Sequence, residues 1–268
     1  MKKVFFTIIG LVIGIALGSG IMYIVNNDSK NDKKEENNNS GIVNENENKE
    51  KKIISSNTLD LLKKFDFALN NSSVLGLNDM DKYLFSKDKI TKSDLSTEFK
   101  IYAAIKNSIP DGYSDHLDKY YKYTYSYNIK FQLSLLFGNE PEVQLKSFEH
   151  DEYKCGGSDF RYDQKTEKVF YEIDGCGGTG GSSGISYDIL NVVENNNEVS
   201  IDMIVYFYKT EYIDENTTKS TYYTSVNMSE EIVSFNNNDD SINNYKDKLS
   251  KYRITFKNNK FESFEKIK

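Results

Sequence analysis

The segment Cys155-Gly156-Gly157-Ser158-Asp159-Phe160-Arg161-Tyr162-Asp163-Gln164-Lys165-Thr166-Glu167-Lys168-Val169-Phe170-Tyr171-Glu172-Ile173-Asp174-Gly175-Cys176-Gly177-Gly178 holds both cysteines of the chain, each followed by a glycine pair. Strand-forming runs flank the polar Gln164-Lys165-Thr166-Glu167, the pattern of an antiparallel hairpin. Setting the cysteines opposite one another centres the turn between Lys165 and Thr166. It also pairs Tyr162 with Val169 and Phe160 with Tyr171. Opposed residues on antiparallel strands lie roughly 4.5–5.5 Å apart at Cα, a separation that a disulfide can bridge. The expectation is therefore a hairpin clamped by a Cys155–Cys176 disulfide, in a domain that lives in oxidising surroundings. In the chain-entropy model such a loop closure contributes about 3 kcal/mol.

Strand signals continue downstream. Ile185, Tyr187 and Ile189 alternate, and Val199, Ile201, Met203, Val205 and Phe207 share one face of a second run. Asn195-Asn196-Asn197 between them reads as a turn, so these two runs form a hairpin. Residues 214–244 are polar and irregular, with a short strand signal near Tyr222 to Val226. A last hairpin runs through Tyr252, Ile254 and Phe256, turns at Asn258-Asn259, and returns from Phe261 to Ile267.

Upstream of the cysteines the periodicity is helical. Leu59, Leu62, Phe65 (or Leu61) and Leu69 mark a helix from Thr58 to Asn70, and Asp79 to Phe85 is a weaker one. Ser93 or Ser96 caps a third helix, which buries Leu95, Phe99, Tyr102, Ala103 and Ile109 and stops at Pro110-Asp111-Gly112. Tyr121, Tyr123, Tyr125 and Tyr127 alternate as in a strand. Ile129, Leu133, Leu136 and Phe137 then follow helical spacing to Gly138-Asn139. Val143, Leu145 and Ser147 suggest a short strand. Helices first and antiparallel hairpins afterwards imply an α+β fold, with the early helices packed on one curved antiparallel sheet.

The N-terminal region is of another kind. Lys2-Lys3 precede the uncharged run 4–25, which is close to the ~20 apolar residues that span a bilayer as a helix. Charge on the N-terminal side puts the remainder outside the cytoplasm. Ala16-Leu17-Gly18 offers a signal-peptidase cut, but the apolar run continues past it, which favours an uncleaved anchor. The first 50 residues lack a cysteine, which excludes a lipoprotein. Gly10, Gly14 and Gly18 recur every fourth residue, a face on which membrane helices self-associate; glycine is also simply common in such helices. Residues 26–52 are Asn, Lys, Glu and Asp with little apolar content, the composition of a disordered tether reaching on the order of 30 Å. Residues 1–25 thus read as cytoplasmic stub and anchor, 26–52 as linker and 53–268 as an extracytoplasmic domain. Of the net charge of −7, residues 1–3 carry +2 and residues 26–52 carry −1, leaving about −8 on the domain. Such a domain is a poor partner for nucleic acid or an anionic membrane surface.

The order of helix, Phe137-Gly138, Tyr162-Asp163, Cys176-Gly177-Gly178 and closing Tyr252-Arg253-Ile254-Thr255-Phe256-Lys257 resembles uncharacterised membrane-anchored bacterial extracytoplasmic proteins, over residues 93–268. The arrangement is also similar to cystatin-like and nuclear-transport-factor-two-like folds, in which a bent sheet wraps a helix. Those folds host enzymes, binders and assembly domains alike, so the resemblance implies architecture and not activity.

Chemistry-bearing residues are sparse. Cys176 with His150 or His116 would make a thiol and base, but nothing in the spacing brings them together. No Cys-x-x-Cys is present, and His150, Asp151 and Asp159 lack the spacing of a zinc site. The run from Gly175 to Gly184 has no lysine and lies between strand signals. It reads as a connection beside the cystine rather than a phosphate cradle, with Gly178 and Thr179 as loop residues that could face a ligand. Asp79-Met80-Asp81 and Asn238-Asp239-Asp240 lack calcium-loop spacing and read as solvated loops. Tyr121, Tyr123 and Tyr125 either half-bury in a sheet or stack on sugars of the envelope. No catalytic set and no cofactor is implied. The sequence points to a membrane-anchored binding or assembly domain of the cell envelope. The alternatives are a self-assembling structural protein, or a hydrolase with its site in the hollow of the sheet.

Overall fold

A computed structural model describes residues 54–74, 76–116, 119–140, 142–148, 159–173, 181–214, 216–237 and 240–268 of the chain. Run 4–25, the tether, Cys155, Cys176, Gly178, Thr179 and His150 lie outside the described residues. Among the described residues no helix is long and apolar enough to cross a membrane.

The architecture is α+β, with early helices packed on a strongly curled antiparallel sheet. Helix α1 (Ser56–Lys63) starts where the Ser55 hydroxyl accepts a bond from the Thr58 N–H, two residues earlier than the periodicity predicts. After a break at Phe65 it continues as α2 (Asp66–Leu69). Residues Asp79 to Phe85 form turns and one 3-10 turn (Tyr83–Phe85) rather than an α-helix. Helix α3 (Thr97–Lys106) is capped by Ser96, whose hydroxyl accepts from the Phe99 N–H, and it buries every residue from Phe99 to Ile105. It ends before Ile109, which is 85% exposed instead of lining the core face. Helix α4 (Ser126–Phe137) ends at Gly138, whose φ of +86° is a conformation that costs other residues a steric penalty.

Two antiparallel sheets form where one was expected. The larger has eight strands, in the order β1 (Asn71–Ser73), β7 (Ser182–Asn195), β8 (Glu198–Asp214), β11 (Ser250–Lys257), β12 (Lys260–Ile267), β2 (Lys89–Thr91). To it β8 adds β9 (Thr217–Tyr223), and β9 adds β10 (Glu231–Asn236). The smaller has four, in the order β3 (Gly112–His116), β4 (Lys119–Tyr125), β6 (Lys168–Ile173), β5 (Phe160–Asp163). Val143 to Ser147 form no strand; a single bridge at Phe148 meets Phe160.

Strand β8 is long enough to serve two neighbours. Its first half pairs with β11 and its second half with β9, while β7 runs along most of its length. Residues Val199, Ile201, Met203, Val205 and Phe207 all turn inward, as their alternation predicts. Ile204 and Tyr206 are buried too, on the other face, where Leu249, Tyr222, Ile232 and Ile242 cover them. The polar stretch after Asp214 therefore holds two strands, not irregular chain. Strand β9 buries Ser220 and Thr221, whose hydroxyls lie 3.3 Å from Thr210 and 2.8 Å from Ser234. A strand that satisfies buried hydroxyls with one another lacks the apolar alternation by which strands are recognised.

The inner face of the large sheet meets the helices through aromatic rings. Phe65 lies 5.2 Å from Phe261 and 5.8 Å from Phe256, while Phe85 packs edge-on against Phe207, Tyr252 and Phe264 at 5.0–5.1 Å. Fully burying each such ring contributes roughly 1.5–3 kcal/mol. The inner face of the small sheet joins the same core through Phe160, Val169 and Tyr171. Asp81 is also drawn in. It is 4% exposed rather than solvated, accepting bonds from the Tyr102 hydroxyl at 2.9 Å and the Asn78 N–H at 3.2 Å. Burial pushes its carboxyl up, against those bonds. Lys100 and Glu140 form a second buried polar pair at 2.5 Å, with Lys92 3.0 Å from the other Glu140 oxygen.

Candidate binding face

Hairpin β5–β6 has the register its sequence predicts, with Phe160 opposite Tyr171 and Tyr162 opposite Val169. Carried outward, that register leads to Cys155 and Cys176, which the structure does not describe. Because side chains alternate across a strand, the same pairing puts Arg161 and Phe170 on the face opposite the core.

Strand β4 lies beside β6, with Tyr123 opposite Phe170, Thr124 opposite Val169 and Tyr125 opposite Lys168. Thr124 is fully buried, so its neighbours Tyr123 and Tyr125 turn outward. Tyr121, two residues earlier, also lies outside the core cluster. The chain then enters α4, so Tyr127 is a helical residue, 59% exposed, and not the last of a strand row. Its ring nevertheless stacks on Tyr125, with centroids 5.7 Å apart and planes 12° from parallel. Tyr123 meets Tyr125 edge-on at 5.8 Å and Phe170 at 6.0 Å. The result is a row of four rings, Phe170-Tyr123-Tyr125-Tyr127, which crosses from β6 over β4 onto the start of α4. Phe131, one helical turn beyond Tyr127, is 58% exposed.

Local chemistry holds the row in place. Opposite Tyr123 stands Gly112, where a Cβ would meet the tyrosine hydroxyl at 2.8 Å; glycine lets the ring lie across β3. The Lys168 ammonium sits 4.0 Å from the Tyr123 centroid and 5.8 Å from that of Tyr125, a cation–π arrangement. Asp111 fixes the strand-to-helix corner by accepting from the Tyr125 N–H, the Thr124 hydroxyl and the Asn128 amide at 2.8–2.9 Å. Its partial burial would raise the carboxyl, but these three donors outweigh it and hold the group below the usual range. At the β5–β6 turn, Asp163 is held low by the Thr166 hydroxyl and the Lys165 N–H.

Of the tyrosines singled out in the sequence, Tyr123 and Tyr125 lie together in the row, Tyr121 stands across a register shift opposite Ile173, and the other site residues, Gly178 and Thr179, fall outside the described chain. Lys168, Phe170 and Arg161 complete the face and were not singled out. The hairpin register already implied that Phe170 and Arg161 share a side; nothing local to the sequence puts β6 beside β4. His116 belongs to β3. Among the described residues no three His, Cys, Asp or Glu side chains converge as a metal site requires.

Compared with family models, curated proteins and solved structures, the chain matches none. Fold and face define an α+β domain with a strongly curled antiparallel sheet.

Proposed function

We propose that this chain is a membrane-anchored extracytoplasmic binding domain of the cell envelope, and that the outer face of the four-stranded sheet is its contact surface. One observation carries the reading: in β4 the large aromatic side chains turn outward while Thr124 takes the buried position. A strand selected only for stability would bury the rings, since apolar area removed from water is the main stabilising term. Tyr123 and Tyr125 are instead only half-buried, on the outer face beside the exposed Tyr127, where aromatic side chains anchor binding. The anchor and tether follow from run 4–25 and from the composition of residues 26–52. A kinship with cystatin-like or nuclear-transport-factor-two-like folds is part of the same proposal, and rests on helices set against a curled sheet.

The test uses the full chain in its own membrane. A benzophenone amino acid at Tyr125 should crosslink to an envelope component other than this protein, and the same probe at Val193, exposed on the large sheet, should not. Equal yields from both positions would remove the assignment of the face. Capture of the protein itself at Tyr125 would establish a self-assembling structural role in its place.

A further inference from the structure

We propose that the β8–β9 hairpin is a docking arm, whose tip pair Tyr212-Ile213 seats in an apolar pocket rimmed by Lys or Arg on a partner protein. This is a second surface, on the larger sheet, and it does not depend on the aromatic face. Strand β7 flanks β8 only as far as Thr210, opposite Ser182. Beyond that pair, among the described residues, β8 is bonded to β9 alone, and every residue from Glu211 to Asp214 is exposed. Two of them are large and apolar: Tyr212 is 67% and Ile213 57% exposed. Ile213 is the extra residue of a bulge, since Tyr212 faces Thr218 and Asp214 faces Thr217. In a regular strand such neighbours turn to opposite faces. A bulge re-aims side chains, and here both of the pair are left in water. One apolar residue in solvent is ordinary; an adjacent pair at the end of a protruding arm has the placement of an anchor.

The arm is preformed. At its base the Thr210 and Ser220 hydroxyls meet at 3.3 Å, and at its turn the Asp214 carboxylate accepts from the Asn216 N–H at 2.9 Å. A preformed arm loses little freedom on docking. Charge and position choose the occupant. Residues 211–219 hold three carboxylates, Glu211, Asp214 and Glu215, against one ammonium, Lys219. The Asn216 N–H and then the Thr217 hydroxyl hold Asp214 below the usual carboxylate range, so it stays an anion. An acidic tip is opposed by an anionic lipid surface, and by a second copy of a domain that carries about −8. It attracts cationic side chains and favours a pocket that they border. The tip also lies far from where the chain enters the domain. Ser55 donates to Glu194, which pairs with Val199, and β8 runs about 40 Å from there to Tyr212. The chain that precedes residue 54 thus joins the domain at the end away from the arm.

The experiment uses the full-length protein in its own membrane, with a benzophenone amino acid at position 212 and the adduct mapped by mass spectrometry. The proposal expects a peptide of another protein, in which the captured apolar residue is flanked by Lys or Arg. The same probe at Val193, at the other end of β7, should not yield that adduct. Ile213→Ser and Glu211→Lys, each combined with the probe, should lower the yield about tenfold, the first by removing the anchor and the second by reversing the rim charge. Both positions are exposed, so thermal melts of the variants should match the parent. An adduct with lipid would put a membrane in place of the partner, and an adduct with the chain itself would put a second copy there; either overturns the proposal. So does the absence of an adduct, or a yield that neither variant lowers. A yield lowered by Ile213→Ser and not by Glu211→Lys would overturn the basic rim. None of these outcomes bears on the Tyr125 crosslink, which decides the aromatic face separately.

Discussion

Strands β8 and β4 carry the same signal and use it in opposite ways. In β8 the alternating residues Val199, Ile201, Met203, Val205 and Phe207 all turn into the core. In β4 the alternating tyrosines turn out, and Thr124 between them is the fully buried residue. Period-two alternation states which side chains share a face; it does not state which face is inside. In β8 the intervening residues are polar at Ser200 and Asp202, so the choice is forced. Around the tyrosines of β4 stand Lys122 and Thr124 of the strand and Ser126 at the start of α4, and the last two are small hydroxyl residues that can be buried when hydrogen-bonded. Thr124 donates to Asp111, and the choice falls to tertiary packing.

The contrast predicts a wide spread of substitution costs. Phe261→Ala, at the centre of the ring cluster facing α1 and α2, should cost about 4 kcal/mol in chemical denaturation. Thr124→Lys, which forces a cation into the inner face of the small sheet, should cost roughly 3 kcal/mol or more, whereas Tyr127→Lys, at the exposed end of the row, should cost less than about 1 kcal/mol. Comparable losses from these two lysine variants would break the assignment of faces.

A smaller effect comes from Asp66 in α2. Burial raises its carboxyl from 3.8 to about 6, against the opposing pull of Lys63. The folded chain therefore keeps a proton that the unfolded chain has released, and stability falls as pH rises from 3.8 to about 6. Asp66→Asn should stabilise the protein at pH 7 by about 1 kcal/mol, after allowance for partial solvent screening, and flatten the stability profile over that window. Asp163, held low on the small sheet, has the opposite sign: its contribution is present at neutral pH and is lost on acidification. The smallest effect is Tyr123→Ala, expected to lower stability by less than about 1 kcal/mol while removing binding at the face.

Much of the large sheet was legible because its strands obey the apolar alternation. The Val199–Phe207 face, the closing hairpin with positive φ at Asn258 and Asn259, and the register of Phe160–Tyr171 follow from local pattern and turn chemistry. Of strands β9 and β10 only the end of β9 was legible, where the signal near Tyr222 to Val226 overlaps it at Tyr222 and Tyr223. Their pairing buries Ser220 and Thr221, and hydroxyl pairs look like loop in a sequence. Asp81 was read as solvated for a related reason: it sits in a turn, and the Tyr102 hydroxyl that stabilises it lies on α3. The separation into two sheets was also hidden, since strand adjacency is decided by contacts far apart in the chain. The tyrosine row was visible as a row, yet its extension onto α4 and its neighbours Phe170 and Lys168 needed the placement of β6 against β4.

Tyrosine nitration of the intact folded protein, mapped by mass spectrometry, tests the outward row most directly. Tyr123, Tyr125 and Tyr127 should be modified well before Tyr102 and Tyr252, which are 3% and 4% exposed. Modification of Tyr102 and Tyr252 at equal or greater rates would contradict the row's orientation and the binding face built on it.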